Sequence, residues 1–254
     1  MKFYYIIKSI ISRVPSTTIN DLAVISLSIL KSISRIFMKT FALFTLLVLF
    51  IVGCANGRGM KVIIKPTLDR RLKEVQPIPL HVGLFIEPSL RHFSQEEWQT
   101  DMIAGIHHYV FPIGEPLTKN IEEMINIVFN KVTILNKLPN QEIIEKTGLD
   151  AILMVQLKAS KMELIVEESV WRAIGKHYLS VHVSFLDKNL NKIFEDELAV
   201  EGKNLDLIDY QTEGGWWKTA GPKYGPAVED SIEKLVFKLA QRLIAFREKI
   251  TPPR

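Results

Sequence analysis

One cysteine, Cys54, serves a chain of 254 residues. Without a second thiol there is no disulfide framework and no cysteine-based metal site, so an apolar core has to hold the fold. Catalytic signatures are just as scarce. The chain has no His-Glu-x-x-His, no Gly-x-Ser-x-Gly and no glycine-rich phosphate loop closed by Lys-Ser/Thr. His107 and His108 are neighbours, and His177 and His182 are five apart. On strands both spacings send the rings to opposite faces, so neither pair is set to share a metal. The acidic groups Glu122/Glu123, Glu167/Glu168 and Glu195/Asp196/Glu197 fall inside periodic segments, where a solvated face accounts for them. None of these spacings suits two carboxylates facing one cleft. The expectation is therefore a protein that is not an enzyme, with no catalytic residue, no metal and no cofactor.

Long apolar runs are also few, and the clearest is residues 41–54, FALFTLLVLFIVGC, behind Met38, Lys39 and Thr40. A positive start, thirteen mostly apolar residues and a small residue before cysteine make an export signal. Ile51-Val52-Gly53-Cys54 resembles the lipobox of bacterial lipoproteins. That resemblance implies cleavage before Cys54, a diacylglycerol on its thiol and acylation of its amine. A permanent signal anchor would need about 18 to 20 apolar residues and hence recruitment of flanking ones; a buried helix is the third reading. Residues 1–37 are expected to be an annotation extension ahead of a start at Met38, with 38–53 the signal peptide. Residues 54–78 read as tether and connector, and 79–254 as a single domain. Ala55, where an Asp would favour the inner membrane, implies the outer membrane by the same resemblance.

The leader also explains the charge. The whole chain has a net charge of +4 and a pI near 9.0, but residues 1–53 hold six Lys/Arg and one acid, leaving 26 basic and 27 acidic residues. The part after the cut has no electrostatic motive for binding nucleic acid. Within the connector, Arg70, Arg71 and Lys73 could meet lipid phosphates, against the plainer reading of a solvated linker.

Periodicity orders the rest. Residues 60–64 form a short strand, 79–88 a nearly continuous apolar strand, 91–105 a loop or short helix, and 107–113 a second strand. Leu117, Ile121, Met124, Ile125, Val128 and Phe129 trace a helix stripe. A short strand follows at 132–135, then a brief helix at 140–146 closed by Gly148. Residues 151–168, 170–186 and 192–200 form an antiparallel meander with one solvated face and a turn at 187–191. Val228, Ile232, Leu235, Val236, Leu239 and Leu243 mark a closing helix, with acids at its start and bases at its end. The fold class expected is an α/β (α+β) two-layer sandwich, a mixed sheet with an antiparallel meander and helices on one face.

This order, with Gly148-Leu149-Asp150-Ala151-Ile152-Leu153 entering a strand and SVHVSFLDKNLNKIFEDEL forming a hairpin, resembles the α/β domain of envelope lipoproteins and assembly factors. The TolB amino-terminal domain, the CsgG periplasmic domain and YajG-like lipoproteins are the families concerned, over residues 79–248. Outside that pattern lies residues 211–226, QTEGGWWKTAGPKYGP, read as a loop. Its Trp216, Trp217 and Tyr224 are the candidate partner-binding residues, because aromatics give large contact area at low entropic cost. The alternative is that they cover an open end of the sheet. Taken together, the expectation is a non-catalytic protein anchored to a membrane through lipidated Cys54, facing the periplasm, that binds a protein of an envelope complex. Homo-oligomerisation stays open. A carrier of an apolar ligand, held between helices and sheet, is the alternative.

Overall fold

A computed structural model divides the chain into two compact units, residues 1–57 and 58–254. It describes residues 59–101, 105–167, 172–207 and 224–247, all in the second unit; Cys54, Trp216 and Trp217 lie outside the described residues. Thirteen elements follow in order: β1 (Met60–Lys61), a 3-10 turn (Arg70–Glu74), β2 (Ile78–Ile86), α1 (Pro88–Arg91), β3 (Gln95–Asp101), β4 (Gly105–Phe111), α2 (Gly114–Val128), β5 (Phe129–Leu135), α3 (Gln141–Thr147), β6 (Ala151–Glu167), β7 (Arg172–Asp187), β8 (Lys192–Leu207) and α4 (Gly225–Ala245). The α+β class is as expected.

The main sheet runs β5-β2-β6-β7-β8, and a second sheet runs β1-β4-β3. β5 and β6 flank β2 in parallel, whereas β6, β7 and β8 form the antiparallel meander. On β2 the side chains of Ile78, Leu80, Val82, Leu84 and Ile86 enter the large core, while Phe85 turns to a smaller cluster with Leu135, Ile144, Leu149 and Ile152. The strict alternation of a strand produces this split, and α3 seals the smaller side. α3 begins on Asn140, whose side chain accepts from the Ile143 N–H at 2.9 Å, and ends on Gly148 with φ +63°, a left-handed cap that suits glycine.

β6 keeps one face on the core through a register shift between Leu157 and Ala159. Before it, Ala151, Leu153, Val155 and Leu157 point to the core; after it, Met162 and Leu164 do. One extra residue switches the inward set from odd to even numbers, which a regular strand of this length could not do. Four phenylalanines stack across the core face, with centroid separations of 6.0 Å (Phe129–Phe185), 5.5 Å (Phe185–Phe194) and 4.7 Å (Phe194–Phe246).

Two readings are corrected here. Residues 91–105 hold strand β3, paired antiparallel with β4 from Gln95↔Phe111 to Asp101↔Gly105. The strand lacks an apolar alternation because its inward positions carry Gln95, Glu97 and Gln99. The connector after residue 59 is also part of the body. β1 lies parallel to β4, the Val62 N–H donates to the Val110 carbonyl (2.9 Å), and Leu72 is buried at 1% exposure. Arg71 is not turned to a free phosphate: it forks onto Asp69, at 2.9 and 2.5 Å, and lies 4.0 Å over the Phe237 ring. Hydrogen bonds from Arg71 hold the Asp69 carboxyl down to about 2.

α4 sits directly on β8 at Gly202. An added Cβ there would come within 2.1 Å of the Ala227 carbonyl oxygen and 2.4 Å of the Ser231 nitrogen, both backbone atoms that cannot swing aside. Gly202→Ala is expected to destabilise the fold by about 3 kcal/mol, the upper range for forced overpacking, and to lower the urea midpoint accordingly. Gly148→Ala, with nothing within 4 Å and only the left-handed φ to oppose it, is expected to cost about 1 kcal/mol.

Candidate functional site

Of the three aromatics that the sequence groups as partner-binding candidates, Tyr224 alone lies among the described residues. It is 1% exposed at the start of α4, its ring meets Tyr109 edge-on at 5.3 Å, and its hydroxyl donates to Gln99 Oε1 at 2.5 Å. It is therefore a core residue and not a surface contact. The residue type gave the aromatic signal, but burial follows from Gly225 opening a helix at once, which pulls Tyr224 under the second sheet.

Around Tyr224 runs a buried polar seam that joins both sheets to α4. The Ser160 hydroxyl donates to Gln95 Oε1 at 2.6 Å and lies 2.9 Å from His177 Nε2. His177 Nδ1 lies 2.5 Å from Ser231 Oγ, which donates to the Val228 carbonyl at 2.7 Å. With its hydroxyl proton on Val228, Ser231 accepts from Nδ1–H; Nε2 is then the acceptor, and the Ser160 proton is shared between Nε2 and Gln95. Removal from water keeps the imidazole neutral, pushing its pKa from 6.5 down to about 4. His177 is a structural histidine, as the sequence suggests, and among the described residues no cluster of His, Cys, Asp or Glu could hold a metal.

The ends of the main sheet differ sharply. At β8 one stripe of α4, spaced by four residues, covers the edge. Asp230 Oδ2 accepts the Lys203 backbone N–H (2.9 Å), Lys234 Nζ donates to the Glu201 carbonyl (3.1 Å), and Lys238 Nζ donates to the Ala199 carbonyl (3.1 Å). Arg242 continues the stripe by pairing with Asp196 at 3.1 Å. These charged side chains occupy the backbone groups that an incoming strand would need. A second stripe straps the amino-terminal segment: Glu229 accepts the Lys65 N–H (2.6 Å), and Glu233 accepts both the Thr67 N–H (2.7 Å) and its hydroxyl (2.8 Å). At β5, by contrast, no side chain among the described residues bonds an outward backbone group. Sequence periodicity could not locate this asymmetry, because both α4 stripes read simply as polar faces.

Two grooves flank α2. The larger, about 800 Å³, lies between residues 61–66 and α2, with Asn120 at its floor; the smaller, about 500 Å³, runs from Arg91 to Thr118 on the other side. Side chains take up the space between helices and sheet itself: Leu117, Ile121, Leu235 and Leu239 face Val82, Leu84, Leu153 and Val181, all at 1% exposure or less. Space of ligand size thus lies beside α2 and not between the layers.

Two outcomes follow. Because unfolded His177 binds a proton below about 6.5 and the native ring only below about 4, stability is expected to fall by about 3 kcal/mol as pH drops through that interval, and to level off below it. Thermal melts from pH 7 to 4 check this, and His177→Gln should flatten that part of the slope. The triple substitution Asp230→Ala, Lys234→Ala, Lys238→Ala is expected to unmask the β8 edge and produce concentration-dependent association in light scattering, with the helix content retained.

No protein-family model matches the chain, and no curated protein does. Among solved structures it is similar to protein XCC0632 of Xanthomonas campestris, of the family DUF330, at 8% identity and a TM-score of 0.42, over 75% of this chain and 98% of that one. It is also similar to a minor lipoprotein of Acinetobacter baumannii (9%, TM-score 0.37, over 68% and 96%) and to the PelC dodecamer subunit of Paraburkholderia phytofirmans (11%, 0.34, over 66% and 88%). Each likeness is distant, and neither a site nor a partner is transferred from it.

Proposed function

We propose that this protein is a non-catalytic, lipid-anchored component of a bacterial cell envelope, tied through Cys54 to a membrane, with the outer membrane favoured by Ala55. The observation that carries this reading is the lipobox-like Ile51-Val52-Gly53-Cys54 closing a signal-like apolar run, with the sole cysteine of the chain at the position the modification requires. No helix among the described residues is long and apolar enough to cross a membrane.

The body's role is binding, and strand addition at β5 is the proposed mode. β5 reads FNKVTIL, rich in β-branched and apolar residues, with one charge and no proline. An edge of that composition, left open while the opposite edge is covered, supports docking of a partner's extended segment through main-chain hydrogen bonds. A protein of an envelope complex is the proposed partner; Trp216 and Trp217 are proposed as a second contact. A carrier of an apolar ligand is the second reading, and it shifts from the space between helices and sheet, which side chains fill, to the groove of about 800 Å³ beside α2, which is of small-ligand size.

Intact mass of the mature protein is expected to show an amino-terminal Cys54 bearing a diacylglycerol. Cys54→Ser should leave an unprocessed precursor and abolish salt-resistant membrane association. A mature protein with a free Cys54 thiol would overturn the reading.

A further inference from the structure

The second sheet has two faces with different fates. Residues paired across its strands share a face. Tyr109 and Phe111 point inward and are buried, whereas Lys61↔Val110↔Glu96 and His108↔Trp98 point outward. Trp98 is 63% exposed, and its ring stacks flat on His108 at 4.1 Å, with His108 Nε2 held 3.1 Å from Glu96. The stack props a large aromatic ring in solvent. Ile63, alternating with the inward Val62 and Ile64, is 72% exposed.

Gly59, the first described residue, lies on this face. A Cβ at Gly59 would stand 2.5 Å from Val110 Cγ2 and 2.8 Å from His108 Nδ1, so the backbone of Gly59 lies against the outward side chains of β4. From there to Cys54 are five residues, at most about 18 Å of fully extended chain. A lipid on Cys54 therefore keeps this point of the body within about 18 Å of its anchor, the depth of two to three headgroup layers.

We infer that the outward face of the second sheet, centred on Trp98 and Ile63 with Lys61 beside them, lies against the lipid surface that holds the Cys54 anchor. This inference rests on the proposed lipidation. An exposed tryptophan, an aliphatic side chain and a lysine are the residue types that settle at a membrane–water interface: the ring sits at headgroup depth and the ammonium reaches lipid phosphates. The diacylglycerol and the amine acyl chain anchor stably by themselves, and a weak contact from the body, kept nearby by the tether, forms at high effective concentration. The short tether makes that contact nearly intramolecular. Docked this way, all three strands of the second sheet lie along the lipid surface, with β1 and β3 at its two edges.

Lipidation consumes the Cys54 thiol as a thioether, so an introduced cysteine is the only free thiol of the mature protein. The test places a spin label at Glu96→Cys, on the proposed face and 64% exposed, at Lys61→Cys as a second position on it, and at Leu138→Cys, equally exposed but remote in sequence and sheet. Full-length, host-processed protein is reconstituted into vesicles of phosphatidylethanolamine and phosphatidylglycerol, and its collision with oxygen and with a water-soluble nickel chelate is compared with the same protein in detergent. The expected result is loss of nickel accessibility and gain of oxygen accessibility at 96 and 61 in vesicles, with 138 unchanged. Lipidated protein whose labels at 96 and 61 stay as nickel-accessible as that at 138 overturns the inference and leaves the anchor standing. Loss of nickel accessibility at 96 and 61 without a gain of oxygen accessibility also overturns it, because the face is then covered by protein. An unmodified Cys54 in the intact mass removes both readings together.

Discussion

The close approach of α4 to β8 at Gly202 governs much of the body. With no side chain at that position, the backbone of the helix lies on the backbone of the strand, and each α4 side chain gains about a Cβ's length of reach. That reach lets Asp230, Lys234 and Lys238 curl over the sheet edge and bond its main chain, while Glu229 and Glu233 on the neighbouring row reach the segment before the 3-10 turn. A spacing of four keeps each row on one line along the helix. Each bond is solvent-facing and modest by itself, about 1 kcal/mol, but the rows act together because one helix presents them all.

The polar seam performs the complementary task for the second sheet. Gln95 and Gln99 would be costly inward residues on an isolated strand, since a buried amide without partners forfeits several hydrogen bonds. Here each finds one: Gln95 meets Ser160, and Gln99 meets Tyr224. His177 and Ser231 then carry the connection from β7 to α4. An apolar seam would pack in several registers, whereas a hydrogen-bonded one fixes the second sheet in one position relative to the first.

This explains what could be read from the chain in advance. The stripes of α2 and α4, the Asn140 and Gly148 ends of α3, and the Asp187 turn, whose Oδ1 accepts the Asn189 and Asn191 N–H groups at 2.8 Å, all follow local rules and were legible. β3 was not, because its inward side is polar and is satisfied by residues 65 and 125 positions away. The shift in β6 hides within a long apolar strand, where the inward set changes parity without a glycine or proline to mark it. Tyr224 shares a glycine-rich, aromatic stretch with Trp216 and Trp217, and composition alone does not mark it as a residue that a helix start buries. The connector misled for the same reason as β3: Leu72 is one apolar residue among charges, and its burial depends on α2 being in place.

The sealed edge, the open edge and the strap also form one mechanical arrangement. Force from an anchor on Cys54 would enter at β1 and the segment strapped by Glu229 and Glu233, pass into α4, and spread over β7 and β8, which that helix covers. β5 stands four strands from β8, about 19 Å at ordinary strand spacing. β2 pairs with β5 in parallel and β6 with β7 antiparallel, so a strand added at β5 would extend a ladder that is continuous to β8. The α4 rows that close β8 and strap residues 65 and 67 leave the outward backbone groups of β5 as the pairing surface of the main sheet among the described residues.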